Sequence, residues 1–486
     1  MFARRFSLFL APSVLSMGVS FAVVPITTYV LGPPAFGIFG LMTALTAVGW
    51  TMSLIGSSAV CNMHFLALDA AERRRLVSTA FCVALAIASL FCVACLSLWS
   101  VAIDHLREYS GVPFAGLVLS MVNVIVGVPW MVAQDVITLD GKARGFAAIT
   151  MAQTIAGAVV TVVGLYVFHL GVLALFISAT ASSAITCIGA LSLLRPYLGL
   201  HVSRSWAIAM IRVGPADASS NVTAALQATI ERSFIASALG VGALGLLVHA
   251  QSYRQVVAQV FNAAARPIWP VTLLESREPN ASFPQTRVVW NAMYIAVTAL
   301  GVTFAVLGRH IIGWLTHGRF ADVHVLVTFL MVFILVSNTG KPQTAVLYRE
   351  GAARNLLWLH AFSNLVWLGC LLVLVPLAGL VGAVLALIAQ QVVVRIGIQI
   401  LAHRYGASPM TDAWSLAGIA FVLAVQFAAL PVPSTQSQLL LWAGAMAVLL
   451  IAGRRVLGRF AAEHLTGIGG AGFLAGLRMK LVASAK

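Results

Sequence analysis

Long apolar runs separated by short polar connections occupy nearly the whole chain. A helix that crosses a membrane needs about 20 mainly apolar residues. By that criterion the 486 residues contain fourteen predicted spans, at roughly 8–30, 36–60, 77–101, 113–133, 146–168, 171–194, 207–230, 241–263, 288–308, 322–340, 355–376, 378–401, 413–431 and 438–453. This pattern predicts an all-α polytopic membrane protein. We expect the first run to be an uncleaved helix rather than a signal peptide, because it is long enough to span.

The basic residues of the connections predict the orientation. If the N-terminus lies inside, 22 of the 29 Lys and Arg residues fall in inner segments, and the outer loops hold only Arg107, Arg309 and Arg319. Inner loops of membrane proteins carry this excess of positive charge. We therefore expect both termini to be cytoplasmic.

Two similar motifs indicate an internal repeat. LGPPAFG at 31–37 and LGVGALG at 239–245 lie 208 positions apart, each in the first outer turn of a set of six predicted spans. An even number of spans keeps both sets in the same orientation, so the repeat is parallel, about an axis along the membrane normal. We expect a six-helix bundle at 1–205, a second at 206–404, and two further helices with a basic cytoplasmic tail at 405–486. Two such bundles around a cleft suit alternating access.

Composition excludes several classes of protein. Hydrophobic residues make up 60% of the chain and charged residues 9%, and the net charge of +15 is explained by loops beside anionic lipid rather than by nucleic acid. The six cysteines lie mostly in apolar runs, so we expect no metal or other cofactor. The chain has no phosphate-binding GxxxxGK[ST] loop and no connection long enough for a catalytic domain. We expect a protein that is not an enzyme.

Two stretches carry a family resemblance. PITTYVLGPPAFGIFGL at 25–41 and ERSFIASALGVGALGLL at 231–247 resemble the polysaccharide flippase (Wzx-type) branch of the multidrug/oligosaccharidyl-lipid/polysaccharide (MOP) exporter superfamily. Glu231 departs from that family's pattern, in which an aspartate is expected. The resemblance implies a MATE-like fold. It also implies transport of an undecaprenyl-diphosphate-linked oligosaccharide from the cytoplasmic to the periplasmic leaflet of a bacterial inner membrane, for surface or exopolysaccharide biosynthesis.

The hairpin at 206–267 concentrates ionisable residues at or near the predicted bilayer depth. Such groups are costly in lipid and usually face a bundle interior or a wet cavity. Arginine suits a phosphate ligand because its planar fork binds two oxygens and stays charged when desolvated. The predicted substrate-binding residues are Arg212, Asp217, Arg232, Gln251, Arg254, Gln259 and Arg266.

Depth along the hairpin suggests how these residues are grouped. With the turn centred on 234–237, Asp217 and Arg254 lie about 18 residues from it on either side and at one level. They form either a functional pair or a structural bridge that locks the hairpin. Alternatives stay open elsewhere too, since Arg212, Arg266 and Arg395 are near enough to the inner face to snorkel, and Glu231–Arg232 fits a pair at the outer end of a helix.

The favoured hypothesis is a flippase for a lipid-linked glycan, with the lipid bilayer as a partner and polysaccharide polymerase or assembly proteins as further candidate partners. Two alternatives belong to the same superfamily, a flippase of the lipid II type and a cation-coupled multidrug antiporter. From another class comes a non-transporting partner of a glycan synthase.

Overall fold

The structure is a computed structural model. It describes residues 15–16, 18–19, 22–54, 56–65, 68–105, 111–140, 142–199, 202–265, 268–276, 283–350, 352–407, 413–432 and 434–462. Every regular element in these ranges is helical. The helices are α1 (22–30), α2 (Pro33–Ser53), α3 (Ser57–His64), α4 (Ala70–His105), α5 (Phe114–Leu139), α6 (Ala143–Tyr166), α7 (Leu173–Leu194), α8 (Arg204–Leu239), α9 (Val241–Ala265), α10 (Trp269–Glu275), α11 (Pro284–Leu315), α12 (Val323–Asn338), α13 (Thr344–Arg349), α14 (Ala353–Arg404), α15 (Ala413–Ala429) and α16 (Thr435–Phe460).

Within the described residues, each of the fourteen predicted spans coincides with a helix or part of one, which confirms the all-α prediction. Residues 8–14 of the first predicted span and the basic tail after 462 lie outside the described residues. Nine helices within the described ranges are long and apolar enough to cross a membrane. α8 and α9 are not among them, and α15 has only 17 residues. The chain is thus a multi-pass membrane protein in which the α8–α9 hairpin is unusually polar.

Two helices differ in detail from the prediction. The span predicted at 36–60 is interrupted, because α2 ends at Ser53 and Gly56 takes a left-handed φ of 72° before α3 begins. The spans predicted at 355–376 and 378–401 form the single long element α14, which kinks at Gly379 with a φ of 57°. Pro376 lies three residues before this kink. Proline lacks the amide hydrogen that would continue the helix, and glycine tolerates the positive φ.

Packing divides the chain into two units, at Val14–Val248 and from His249 onward. In the first unit α7 packs against α5 and α6, while α8 packs against α2, α3 and α4. In the second, α11 packs against α12, α15 and α16, and α12 packs against α14. This division follows contacts, whereas the boundaries at 205 and 404 describe a sequence repeat and stay a prediction.

Polar contacts tie several connections of the first unit together, on the side predicted to be cytoplasmic. Arg74 donates from Nε to the carbonyl of Leu198 at 2.9 Å, and Trp206 donates to Glu72 at 3.2 Å. Lys142 lies 2.7 Å from a carboxylate oxygen of Asp140 and 5.2 Å from the ring centroid of Tyr197. These contacts order the basic connections instead of leaving them as loose loops.

The Asp140–Lys142 pair gives a testable pH dependence, because both residues lie outside the apolar spans. The hydrogen bond from Lys142 holds the pKa of the Asp140 carboxyl below its ordinary value. A lowered carboxyl pKa adds stability above the pKa of the unfolded chain, about 3.9, and that stability disappears as the pH falls through the folded-state pKa. We expect Asp140→Asn to lower the free energy of unfolding at pH 7 by less than about 1 kcal/mol, because both side chains are partly exposed, and the melting temperature to fall slightly with it. The gap should close on titration toward pH 3, and an equal gap at both pH values would refute this assignment.

Candidate functional site

The turn of the α8–α9 hairpin lies later in the chain than predicted. α8 continues to Leu239, and Gly240 makes the turn with a φ of 89° that glycine adopts without strain. The turn predicted at 234–237 is wrong because these residues extend the helix. Asp217 lies 23 residues before Gly240 and Arg254 lies 14 after it. The equal distance from the turn on which the Asp217–Arg254 pair was predicted is therefore wrong, and the pair itself stays a prediction.

Glu231 and Arg232 are buried in α8, with 3% and 8% of their surfaces exposed. Nη1 of Arg232 donates to the carbonyl oxygen of Gly40 at 2.5 Å and to the hydroxyl of Thr43 at 2.8 Å, both in α2. The alternative of a helix-end pair at the outer surface is thus wrong, since the helix continues two turns beyond them. A guanidinium keeps its charge when it leaves water. Arg232 therefore holds a positive charge within the α2–α8 contact.

The two copies of the repeated motif contact each other where α2 crosses the start of α9. A Cβ atom on Gly37 would overlap the carbonyl oxygen of Val241, and one on Gly245 would overlap that of Pro33. Pro33 and Val241 are 208 positions apart, as are Gly37 and Gly245. The contact is therefore reciprocal, as expected for two copies related by a local two-fold axis.

A third contact supports this local axis. A Cβ atom on Gly40 would meet the side chain of Val248, and these positions are also 208 apart. Only residues close to a two-fold axis contact their own counterparts. The helices approach closely here because glycine has no side chain, which is a common device in membrane helix packing.

Arg254 lies on the second half of α9, next to a group of aromatic rings. Its guanidinium carbon lies 5.2 Å from the ring centroid of Phe333 in α12, and the side chain is half-buried. One position before it, Tyr253 is buried, and its hydroxyl lies 3.3 Å from Nε2 of His249. His249 in turn packs against Phe320, with centroids 4.4 Å apart. The aromatic face restrains the guanidinium by a cation–π contact.

The other predicted site residues are dispersed along the hairpin. Gln251 is buried with 4% exposure, whereas Arg212 and Gln259 are exposed. The side chain of Asp217 and the whole of Arg266 lie outside the described residues. The structure thus reports enclosed positions for Arg232, Gln251 and Arg254 only, and the substrate-binding role of the whole set stays a prediction.

One group of polar residues was missed by the sequence interpretation. Arg395, expected to snorkel, has a buried Nε. Its helix α14 packs against the 3-10 turn Lys341–Gln343, which the sequence assigns to an inner connection. Fifty-four positions separate Lys341 from Arg395, and only the packing of the second unit shows that the turn and α14 are in contact.

Comparison with solved structures shows which fold this arrangement belongs to. The chain is similar to an inward-facing multidrug resistance MATE family transporter of the MOP superfamily, with a TM-score of 0.62 and 15% identity over 87% of this chain and 99% of that one. An outward-facing MATE family transporter of the same superfamily gives 0.57 and 16%, covering 87% and 96%. The Vibrio cholerae MATE transporter VcmN, as a mutant, gives 0.57 and 12%, covering 83% and 96%. The protein therefore has the fold of MATE-like membrane transporters.

Sequence comparison then gives the family. A family model described as "Polysaccharide biosynthesis protein" matches residues 28–277, just over half of the chain. The chain therefore belongs to this family of Wzx-like polysaccharide biosynthesis proteins, which confirms the resemblance drawn from the two motifs. No significant match is found among curated proteins.

Proposed function

We propose that this protein is a flippase that moves an undecaprenyl-diphosphate-linked oligosaccharide from the cytoplasmic to the periplasmic leaflet of a bacterial inner membrane. One observation carries the proposal. In a polysaccharide biosynthesis protein with a transporter fold, the most polar helical hairpin holds the enclosed cationic side chains Arg232 and Arg254. A diphosphate must exchange its hydration shell for protein donors to pass about 30 Å of hydrocarbon. Guanidinium groups provide such donors without losing their charge.

The proposed roles follow from where each side chain lies. Arg254 is assigned to binding the diphosphate, because its half-buried guanidinium lies over the ring of Phe333, which restrains it. Buried Gln251, one helical turn earlier, offers amide groups for sugar or phosphate oxygens. Arg212 and Gln259 are exposed and suit the first capture of the headgroup. For Asp217 and Arg266 the substrate-binding role stays a prediction from the sequence.

Arg232 has a different proposed role. Its bonds to Gly40 and Thr43 join α8 to α2, beside the crossing of the repeated motifs. We propose that Arg232 positions α8 and contributes to the positive electrostatic potential around the substrate path. Alternating access of the two repeats then carries the bound headgroup between leaflets while the polyprenyl chain stays in lipid.

The second candidate function is multidrug antiport, which rests on the fold shared with multidrug resistance MATE transporters. Fold alone does not determine substrate, and the family match favours a glycan carrier. In cells that lack this protein, we expect surface polysaccharide to fall strongly while susceptibility to cationic drugs is unchanged. Expression of the protein in trans should restore the polysaccharide. The antiporter alternative requires the reverse pattern, with normal polysaccharide and increased drug susceptibility.

A further inference from the structure

Three segments of the first unit are joined at the end that is predicted to be cytoplasmic. They are the start of α4, the turn that follows α7, and the start of α8. Nε of Arg74 in α4 donates to the carbonyl of Leu198, just after the turn, at 2.9 Å. The hydroxyl of Thr79 donates to the carbonyl of Arg75 at 2.7 Å and accepts from the amide of Ser203, the residue before α8, at 2.9 Å. Direct hydrogen bonds therefore fix the three segments beside one another.

Exposed arginines occupy all three segments, and we call these four side chains the arginine face: Arg74, Arg75, Arg195 and Arg204. Arg195 begins the turn, three residues before Leu198, and Arg204 directly follows Ser203. Within the described residues, Arg75 is the one member of the face that forms an ion pair, with Glu72 at 2.6 Å. The contacts that join the segments thus gather positive charge on one surface.

The carboxylates on the α4 side of this surface are already engaged. Glu72 accepts from the indole of Trp206 at 3.2 Å as well as from Arg75, and Asp69 accepts from the amide of Glu72 at 2.8 Å. Lys142 packs over the tyrosine ring of the turn and adds a further cation. Positive charge therefore exceeds negative charge on this surface, and the surface suits an anionic partner.

An apolar surface of α4 leads directly to the arginine face. Cys82, Ala86, Leu90 and Val93 are exposed and follow Arg75 at helical spacing, so the five residues share one side of the helix. Leu90 and Val93 are 71% and 61% exposed. The mean hydropathy of the apolar part of α4 is 2.6, which favours acyl chains over a water-filled cleft as the neighbour of this stripe. A cationic surface at the end of a lipid-facing stripe matches the two parts of a phospholipid.

We propose that the arginine face binds the headgroup of an anionic phospholipid whose acyl chains lie along the exposed stripe of α4. Guanidinium groups fit the phosphate oxygens, and basic sites between helices on the cytoplasmic side bind anionic headgroups in other membrane proteins. Loose basic loops attract anionic lipid without a fixed geometry, whereas these three segments are held by hydrogen bonds. The site uses none of the residues assigned to the transport path.

Lipid binding to the purified full-length protein in detergent tests this site. Native mass spectrometry compares phosphatidylglycerol, which is anionic, with phosphatidylethanolamine, which has no net charge. The variant Arg195→Gln/Arg204→Gln removes two cations of the face for which no hydrogen bond within the fold is described. It leaves Arg74, which bonds to backbone, in place. Arg204 is the first residue of α8, where the helix dipole disfavours a cation, so its loss should not weaken the helix.

The matched control is Arg455→Gln/Arg459→Gln, which removes two exposed cations from the predicted cytoplasmic end of α16. We expect the native protein and the control to bind phosphatidylglycerol more tightly than phosphatidylethanolamine. The Arg195→Gln/Arg204→Gln variant should bind phosphatidylglycerol at least about tenfold more weakly and bind phosphatidylethanolamine as before.

A second measurement on the native protein does not depend on any variant folding. A lipid that binds the folded state raises its melting temperature. Phosphatidylglycerol should therefore raise the melting temperature of the native protein more than phosphatidylethanolamine does.

Equal affinity of the native protein for the two lipids overturns the proposal, as does an equal rise in melting temperature. An equal loss of phosphatidylglycerol binding in the control variant would show general attraction to basic loops and would overturn it too. Binding of polyglutamate without a preference between the lipids would identify an acidic protein segment as the occupant instead. These assays contain no glycan and require no transport, so their failure would leave the proposed flippase function standing.

Discussion

Gly245→Ala is expected to reduce the amount of folded protein sharply and to lower its melting temperature. The new methyl group would overlap the carbonyl oxygen of Pro33, and backbone cannot move aside as a flexible side chain can. Overpacking of a tight contact costs about 1–3 kcal/mol. This should outweigh the gain of up to about 1 kcal/mol from replacing glycine by alanine in a helix.

Gly242→Ala is the matched control, three residues earlier in α9. Its nearest neighbour would be Cγ of Pro34 at 3.8 Å, which is an ordinary contact. We expect this variant to fold as well as the native protein or slightly better. Melting curves and the monodisperse yield from size-exclusion chromatography measure both variants. Equal stability of the two variants would mean that α2 and α9 do not cross at Gly245 as described.

Arg254→Gln is expected to abolish most glycan export while leaving membrane insertion normal. The substitution removes the charge and the fork that we assign to the diphosphate, and hydrogen bonds to charged groups are worth about 1.5–3 kcal/mol. Export should fall by roughly tenfold to a hundredfold. Arg254→Lys keeps the charge but loses the planar contact with Phe333, so it should restore export only in part.

Two measurements make this result specific. Immunodetection in membrane fractions shows whether each variant inserts, and Arg455→Gln on exposed α16 controls for loss of one positive charge. We expect the control to export normally. Normal export by a folded Arg254→Gln protein would remove Arg254 from the substrate path.

Periodicity and short motifs predicted the fold well. An apolar run that is long enough to span a membrane forms a helix whatever it packs against. The helices α4 to α7 therefore lie where the sequence predicts them. The repeated motif at 31–37 and 239–245 was visible because close helix contact restricts its glycine positions. What the sequence did not reveal is that the two copies contact each other.

The site was harder to predict, for identifiable reasons. The helix end at Leu239 was missed although the sequence carries its signal, because 231–239 has neither proline nor glycine and Gly240 is the first residue that can break the helix. That error of a few residues moved Arg232 from a buried contact with α2 to a supposed outer surface. Lys341 and Arg395 belong to separate elements, and only tertiary packing shows that the turn Lys341–Gln343 contacts α14.

The central claim is that this protein carries a diphosphate-linked glycan across a bilayer. The most direct measurement places the purified protein in vesicles that contain a polyprenyl-diphosphate-linked oligosaccharide and follows, with a membrane-impermeant glycosidase, how much glycan becomes accessible outside. We expect the accessible fraction to rise with native protein and with Arg455→Gln, and to stay at the level of protein-free vesicles with Arg254→Gln. Native protein that leaves the glycan distribution between the two leaflets unchanged would contradict the account.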